Sequence, residues 1–138
     1  MRRHLPKREP RKIVLRVFLG LIGSFGCAGR GVLEAVVAQR SLRIQVAIGL
    51  AAVVLGLVLG LSLTEWAVVA LAIALVLAAE VLNTGLEAAV DLACPDRNEL
   101  ARLAKDSGAG ATLIAAVASV VVGVLVFLPK LLGMPKPR

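Results

Sequence analysis

Three long apolar stretches run through this chain, Ile44 to Leu63, Trp66 to Ala89 and Ala109 to Leu128, each near or above the ~20 residues that a helix needs to cross a bilayer. The first carries only Gln45 and Ser62 as conspicuous polar side chains. The third carries Thr112 and Ser119, which can bond within their own helix. The second breaks the pattern. Toward its end it reads Glu80-Val-Leu-Asn-Thr-Gly-Leu-Glu87-Ala-Ala-Val-Asp91. On a helix turning about 100° per residue, Asn83, Thr84, Glu87 and Asp91 lie at roughly −60°, +40°, −20° and +20° from Glu80, so all five polar groups share one face. An ionisable group inside a bilayer costs at least ~2.5 kcal/mol, and a cluster of them marks a functional site by default.

The pattern changes on either side of the spans. Residues 1–12 are basic and hold Pro6 and Pro10, which predicts an arm at the membrane surface. From Ile13 the apolar positions Val14, Val17, Phe18, Leu21, Phe25, Val32 and Val36 recur mostly every three to four residues. Arg16, Arg30, Glu34 and Arg40 punctuate them, which predicts an amphipathic surface helix over 13–43. Pro95 disfavours helical geometry at Cys94, so a turn is expected at Cys94 to Asn98, with a polar helix from Glu99 leading into the third span. No repeat divides the chain. The expected fold is one all-α membrane domain over 1–138: a surface helix followed by transmembrane spans at 44–63, 66–89 and 109–128. Gly56 and Gly60 form a small-residue pair in the first span and Ala70, Ala74 and Ala78 a small face in the second, which suits a tightly associated bundle.

Composition supports this class, with 59% hydrophobic residues and a mean hydropathy of +0.89. Ten of the sixteen Lys and Arg residues precede the first span, so the positive-inside rule puts the N-terminus in the cytoplasm of a multi-pass inner (cytoplasmic) membrane protein. Asp91 to Ser107 is then cytoplasmic and Lys130 to Arg138 external, where Lys130, Lys136 and Arg138 run against the rule. Arg16 interrupts the early apolar run, which argues against a cleaved signal peptide. The net charge of +7, with three Phe, one Trp and no Tyr, points to anionic headgroups and away from nucleic acid. Cys27 and Cys94, both on the cytoplasmic side, are expected as free thiols.

Glu80 lies roughly 16 Å below Asp91 along the helix, within the apolar layer, where a carboxylate can take a proton from an alcohol. Glu87 and Asp91, nearer water, suit Mg²⁺, which usually takes one or two carboxylates plus phosphate oxygens. Asn83 can orient the reacting group. Lys105 and Asp106 fall at the height of Asp91, where Lys105 can meet a phosphate. Together these groups describe phosphoryl transfer from a nucleotide to a lipid alcohol at a membrane surface. Blander readings exist for each alone: Glu80 and Asn83 as interhelical bonds, Lys105 as a snorkelling boundary lysine, Asp96, Arg97, Glu99 and Arg102 as a solvated face, and Trp66 as an interfacial anchor.

The run E-x-x-N-[TS]-x-x-E-x-x-x-D at Glu80 to Asp91, followed fourteen residues later by Lys105-Asp106, resembles the signature of the prokaryotic diacylglycerol kinase family. These are small integral membrane lipid kinases that include undecaprenol kinases. The resemblance covers nearly the whole chain, with Gly31, Arg43 and the three-span layout also in place. It implies that Glu80 is the proton acceptor and that Glu87 holds the Mg²⁺ bridging the phosphates of ATP. Asn83 and Asp91 support the site, Lys105 and Asp106 contact nucleotide, and the Asp96-Arg97-Asn98 turn lies beside it. It also implies a homotrimer with sites shared between subunits. The Asp91-Leu-x-x-Pro95 run is closer to the undecaprenol kinase branch.

Two positions depart from the family pattern. Gln39 stands where a second metal carboxylate is expected, eight residues after Gly31, and Cys27 replaces an aromatic near the nucleotide. Glu34 lies five residues from Gln39, about 140° around a helix, which leaves it poorly placed to substitute. Gln39 therefore also motivates a different class of function, a membrane binding or regulatory protein that kept the fold and lost turnover. A proton or cation pathway along the acidic stripe is a third possibility, in which the Lys105-Asp106 pair has no task.

Overall fold

In the computed structural model, residues 10–96 and 98–133 are described and form four helices, α1 Pro10–Ala38, α2 Arg40–Leu59, α3 Leu63–Ala93 and α4 Glu99–Leu131. The expected arm lies mostly outside the described residues, as do Arg97, Lys136 and Arg138. The chain divides into two compact units, Met1–Glu34 and Ala35–Arg138. The first contains most of α1. The second contains the last turn of α1 and the other three helices, each long and apolar enough to cross a membrane.

The surface helix expected to continue to residue 43 ends at Ala38. Gln39 is extended, with φ −102° and ψ 121°, and α2 begins at Arg40. Its side chain makes no capping bond to α2 and donates instead to Glu87 on α3, which helps hold the chain out of helical geometry there. No Gly or Pro marks this break. The first span also stops short of the expected Leu63: Gly60 closes α2 in the left-handed region at φ 62°, where glycine is favoured. Gly60 thus turns the chain instead of extending the small-residue face. Ser62 then opens α3 with a reciprocal capping box, its Oγ accepting from the Glu65 backbone N–H and the Glu65 carboxylate accepting from the Ser62 N–H. Asn98 opens α4, its Oδ1 accepting from Leu100 and Ala101.

Within the second unit α3 packs mainly against α4, and α2 lies along both. The apolar core sits at the Glu65 end, where Leu61, Val69 and Phe127 are buried among Leu55, Trp66 and Ile73. Trp66, expected as an interfacial anchor, turns its ring over Gly56, where a Cβ would come within 2.9 Å of Cη2. Lys130 is held at the same end by Glu65, at 3.2 Å, and donates to the Gly60 carbonyl. A lysine that runs against the charge rule in sequence is therefore paired and largely buried. Few other side chains are buried, while Leu57, Val58, Leu71, Ile114 and Leu125 all face outward. Apolar surface of this extent suits lipid or other protein.

Close backbone approach carries much of the helix packing. Gly108 on α4 faces α3, where an added Cβ would collide with Asn83 Oδ1 and come within 2.9 Å of Leu86 Cδ2. Gly108→Ala is therefore expected to destabilise the α3–α4 pair by about 1–3 kcal/mol, the usual cost of overpacking. Thermal unfolding in detergent measures it, and an unchanged midpoint would show that the two helices have slack at this level.

Candidate active site

The polar stripe on α3 becomes a ladder of three tiers. Two of them are completed by the first turn of α2 and its preceding residue, and the outermost by α4. In the deepest tier Glu80 is 7% exposed and its Oε2 accepts from Ser41 Oγ at 3.0 Å. Thr84 bonds its own helix through the Glu80 carbonyl and does not touch the carboxylate. In the middle tier both oxygens of Glu87 accept amide N–H bonds, Oε1 from Asn83 Nδ2 at 2.9 Å and Oε2 from Gln39 Nε2 at 3.3 Å. The orientation of Asn83 follows from this contact, since the opposite one would set its oxygen against a carboxylate. Asn83 Oδ1 then faces Gly108, buried and without a hydrogen-bond partner. In the outer tier Lys105 Nζ meets Asp91 Oδ1 at 2.5 Å.

The electrostatics differ between tiers. Among the described residues no Lys or Arg lies within ion-pair distance of Glu80 or Glu87; the pairs are Arg102 with Glu99 and Asp106, Lys105 with Asp91, and Lys130 with Glu65. The two carboxylates are instead bonded by side chains at the start of α2, Ser41 and the preceding Gln39, beside the positive end of the helix dipole. The Lys105–Asp91 pair is open to solvent, so it is worth little to stability and an incoming anion can replace the carboxylate.

Beyond the outer tier, the α3–α4 turn encloses a polar hollow of about 540 Å³ lined by Asp91, Cys94, Asp96, Asn98, Arg102 and Lys105, among others. Lys105 and Asp106 are both expected at the nucleotide. In the structure they turn apart, Lys105 to Asp91 and Asp106 to Arg102 at 2.8 Å. Asp96 is exposed at the rim, and the Asn98 side-chain oxygen caps α4. The expectation for Arg97 falls on a residue outside the described ones. Arg102, read as part of a solvated face, lines the hollow. Nothing in the sequence singles out Ser41 beyond a small polar residue two positions after Gln39.

Below Glu80 the surroundings become mainly apolar. An apolar cleft of about 330 Å³ between α2, α3 and α4 begins one turn deeper at Gln45, Val76 and Leu77 and runs to Leu55, Val69 and Phe127. No ionisable side chain occurs on α3 between Glu80 and Glu65, a rise of roughly 22 Å. An ion pathway has no second station there, whereas an acid at the head of an apolar cleft suits a lipid alcohol.

A Mg²⁺ site can be judged from the donors present. Among the described residues no three His, Cys, Asp or Glu gather to hold a metal. Glu87 offers a hard oxygen donor, the Gln39 amide beside it turns its N–H to that carboxylate, and Mg²⁺ usually binds through one or two carboxylates plus substrate phosphates. The residues fit a cation that arrives with phosphate, and Gln39 would present its oxygen in place of its N–H to serve it.

The second unit thus combines helices of membrane length, a buried carboxylate above an apolar cleft and a polar hollow lined in part by a lysine. Comparison with known proteins identifies the group: the family described as prokaryotic diacylglycerol kinase matches residues 26–127, and the chain belongs to it. The chain is similar to an undecaprenol kinase of Bacillus subtilis, 40% identical over 108 residues that cover 78% of this chain and 88% of that protein. It is also similar to a diacylglycerol kinase of Synechocystis, 42% identical over 129 residues, or 93% and 74% of the two chains.

Proposed function

We propose that the protein transfers the γ-phosphoryl group of ATP to the hydroxyl of a membrane lipid alcohol, undecaprenol or diacylglycerol, at the cytoplasmic face of the inner membrane. The observation that carries this reading is the ladder itself: a buried carboxylate above an apolar cleft, an amide-held carboxylate one tier up, and a solvent-open lysine beyond it. The lipid tail lies in the apolar layer with its hydroxyl at Glu80. As the lipid oxygen bonds to the γ-phosphorus, Glu80 takes the hydroxyl proton and the bond from phosphorus to the β–γ bridging oxygen breaks, releasing ADP.

Lys105 exchanges Asp91 for phosphate oxygens and holds the nucleotide in the hollow that Asp96 and Asn98 line, with Asp106 and Arg97 as further contacts to the nucleotide. Glu87 and Gln39 would hold Mg²⁺, with Asn83 fixing Glu87; when bound, the cation neutralises charge on the phosphates. The basic N-terminal arm and surface helix rest on anionic lipid, and three copies of the chain assemble into a homotrimer.

The differing names of the two relatives set the experiment. Purified protein in mixed micelles with Mg²⁺-ATP is given each lipid in turn, and labelled phosphate is expected in the lipid fraction. Failure with both lipids would leave a second reading, favoured by the Gln39 amide bonded to Glu87: a catalytically inactive binding or regulatory member of the same fold.

A further inference from the structure

We propose that Ser41 is the positioning residue for the Glu80 carboxylate, fixing its Oε2 so that Oε1 is the atom offered to the lipid hydroxyl; this rests on the kinase reading above. The serine and threonine side chains elsewhere behave differently. Ser24, Thr84, Ser107, Thr112 and Ser119 each bond a carbonyl of their own helix, and Ser62 caps α3. Among the described serines and threonines, only Ser41 bonds a side chain of another helix, and it reaches the buried acid. The extended residue Gln39 makes this possible, because it starts a new helix at Arg40 and sets Ser41 in the first turn of α2, facing α3.

The two oxygens of Glu80 are not equivalent. Oε2 accepts from Ser41, the sole donor to this carboxylate among the described residues. Oε1 accepts no bond among those residues, yet the one buried side-chain polar atom there without a partner is Asn83 Oδ1. Oε1 is therefore the oxygen left unbonded, and it is not wholly buried. A glutamate has three side-chain torsions, and one charge-assisted bond on the far oxygen selects the rotamer that presents the near one. A base must come within about 2.6–3.2 Å of the proton it takes, so losing that selection lowers the rate of transfer without weakening either substrate's binding.

The test uses the full-length protein in mixed micelles, with Ser41→Ala, Ser41→Thr, Glu80→Asp and the double variant Glu80→Asp/Ser41→Ala. Ser41→Ala is expected to lower kcat about 10- to 100-fold, the range for a hydrogen bond to a charged group, with KM for ATP and lipid unchanged. Ser41→Thr, which keeps the hydroxyl, restores most of the rate. In the Glu80→Asp background, where the shorter side chain has already withdrawn from the hydroxyl, Ser41→Ala adds no further loss. Full kcat in Ser41→Ala, a rise in KM alone, no recovery with threonine, or additive losses in the double variant each overturn the role of Ser41 while leaving the kinase reading intact. A wild type that phosphorylates neither lipid overturns both together.

Discussion

Glu80→Gln is expected to remove phosphoryl transfer almost completely, by about 10²- to 10⁴-fold in kcat, the range that a positioned base contributes. The substitution isolates proton acceptance because the amide keeps the size of the side chain and its carbonyl oxygen can still accept from Ser41. It also removes a charge from a position only 7% exposed, so the folded protein is not weakened. The measurement pairs transfer of labelled phosphate to lipid with thermal unfolding in the same detergent. Undiminished turnover would show that another group takes the proton, whereas lost turnover with a collapsed melting transition would reflect folding and not chemistry.

What the sequence makes legible follows from what a helix repeats. The face shared by Glu80, Asn83, Glu87 and Asp91 is a property of one continuous helix and is readable without any partner, and α3 carries it. The three spans are equally visible, because apolar runs of that length have few other uses. The closeness of Lys105 to Asp91 is also within reach of sequence, because two helices joined by a short turn run side by side next to it.

The remainder depends on how separate helices register against one another. Ser41 and Gln39 reach α3 only because the chain leaves helical geometry at Gln39, and nothing in the local residue types announces that break. Lys130 looks misplaced until the antiparallel pairing of α3 and α4 brings Glu65 to it across a long stretch of sequence. Gly56 and Gly60 look like one packing motif, yet the first receives the Trp66 ring and the second adopts a positive φ to end α2. Periodicity fixes a face within a helix; it carries no information about the height at which another helix meets it.

Gln39→Glu is expected to have the second large effect, lowering stability without Mg²⁺ and strengthening the response to Mg²⁺. Gln39 Nε2 lies 3.3 Å from Glu87 Oε2, so the substitution sets a second carboxylate against the first. Two like charges at 4 Å repel by about 4 kcal/mol at an effective dielectric of 20, and part of this is relieved by side-chain movement or by binding a proton. Without metal, the variant should therefore melt below the wild type. With Mg²⁺ and nucleotide the same two carboxylates become a pair of hard anionic ligands, and binding to the folded state raises its stability by mass action. The melting midpoint should then climb more steeply with Mg²⁺ in the variant than in the wild type, with half-saturation about tenfold lower, equivalent to ~1.4 kcal/mol of added affinity. Coincident Mg²⁺ titrations would place residue 39 away from the metal. Turnover separates the two readings of the protein: an inert wild type made active by Gln39→Glu is a kinase fold that lost its second metal carboxylate, whereas an active wild type has an amide and a single carboxylate sufficient to hold the cation on its phosphates.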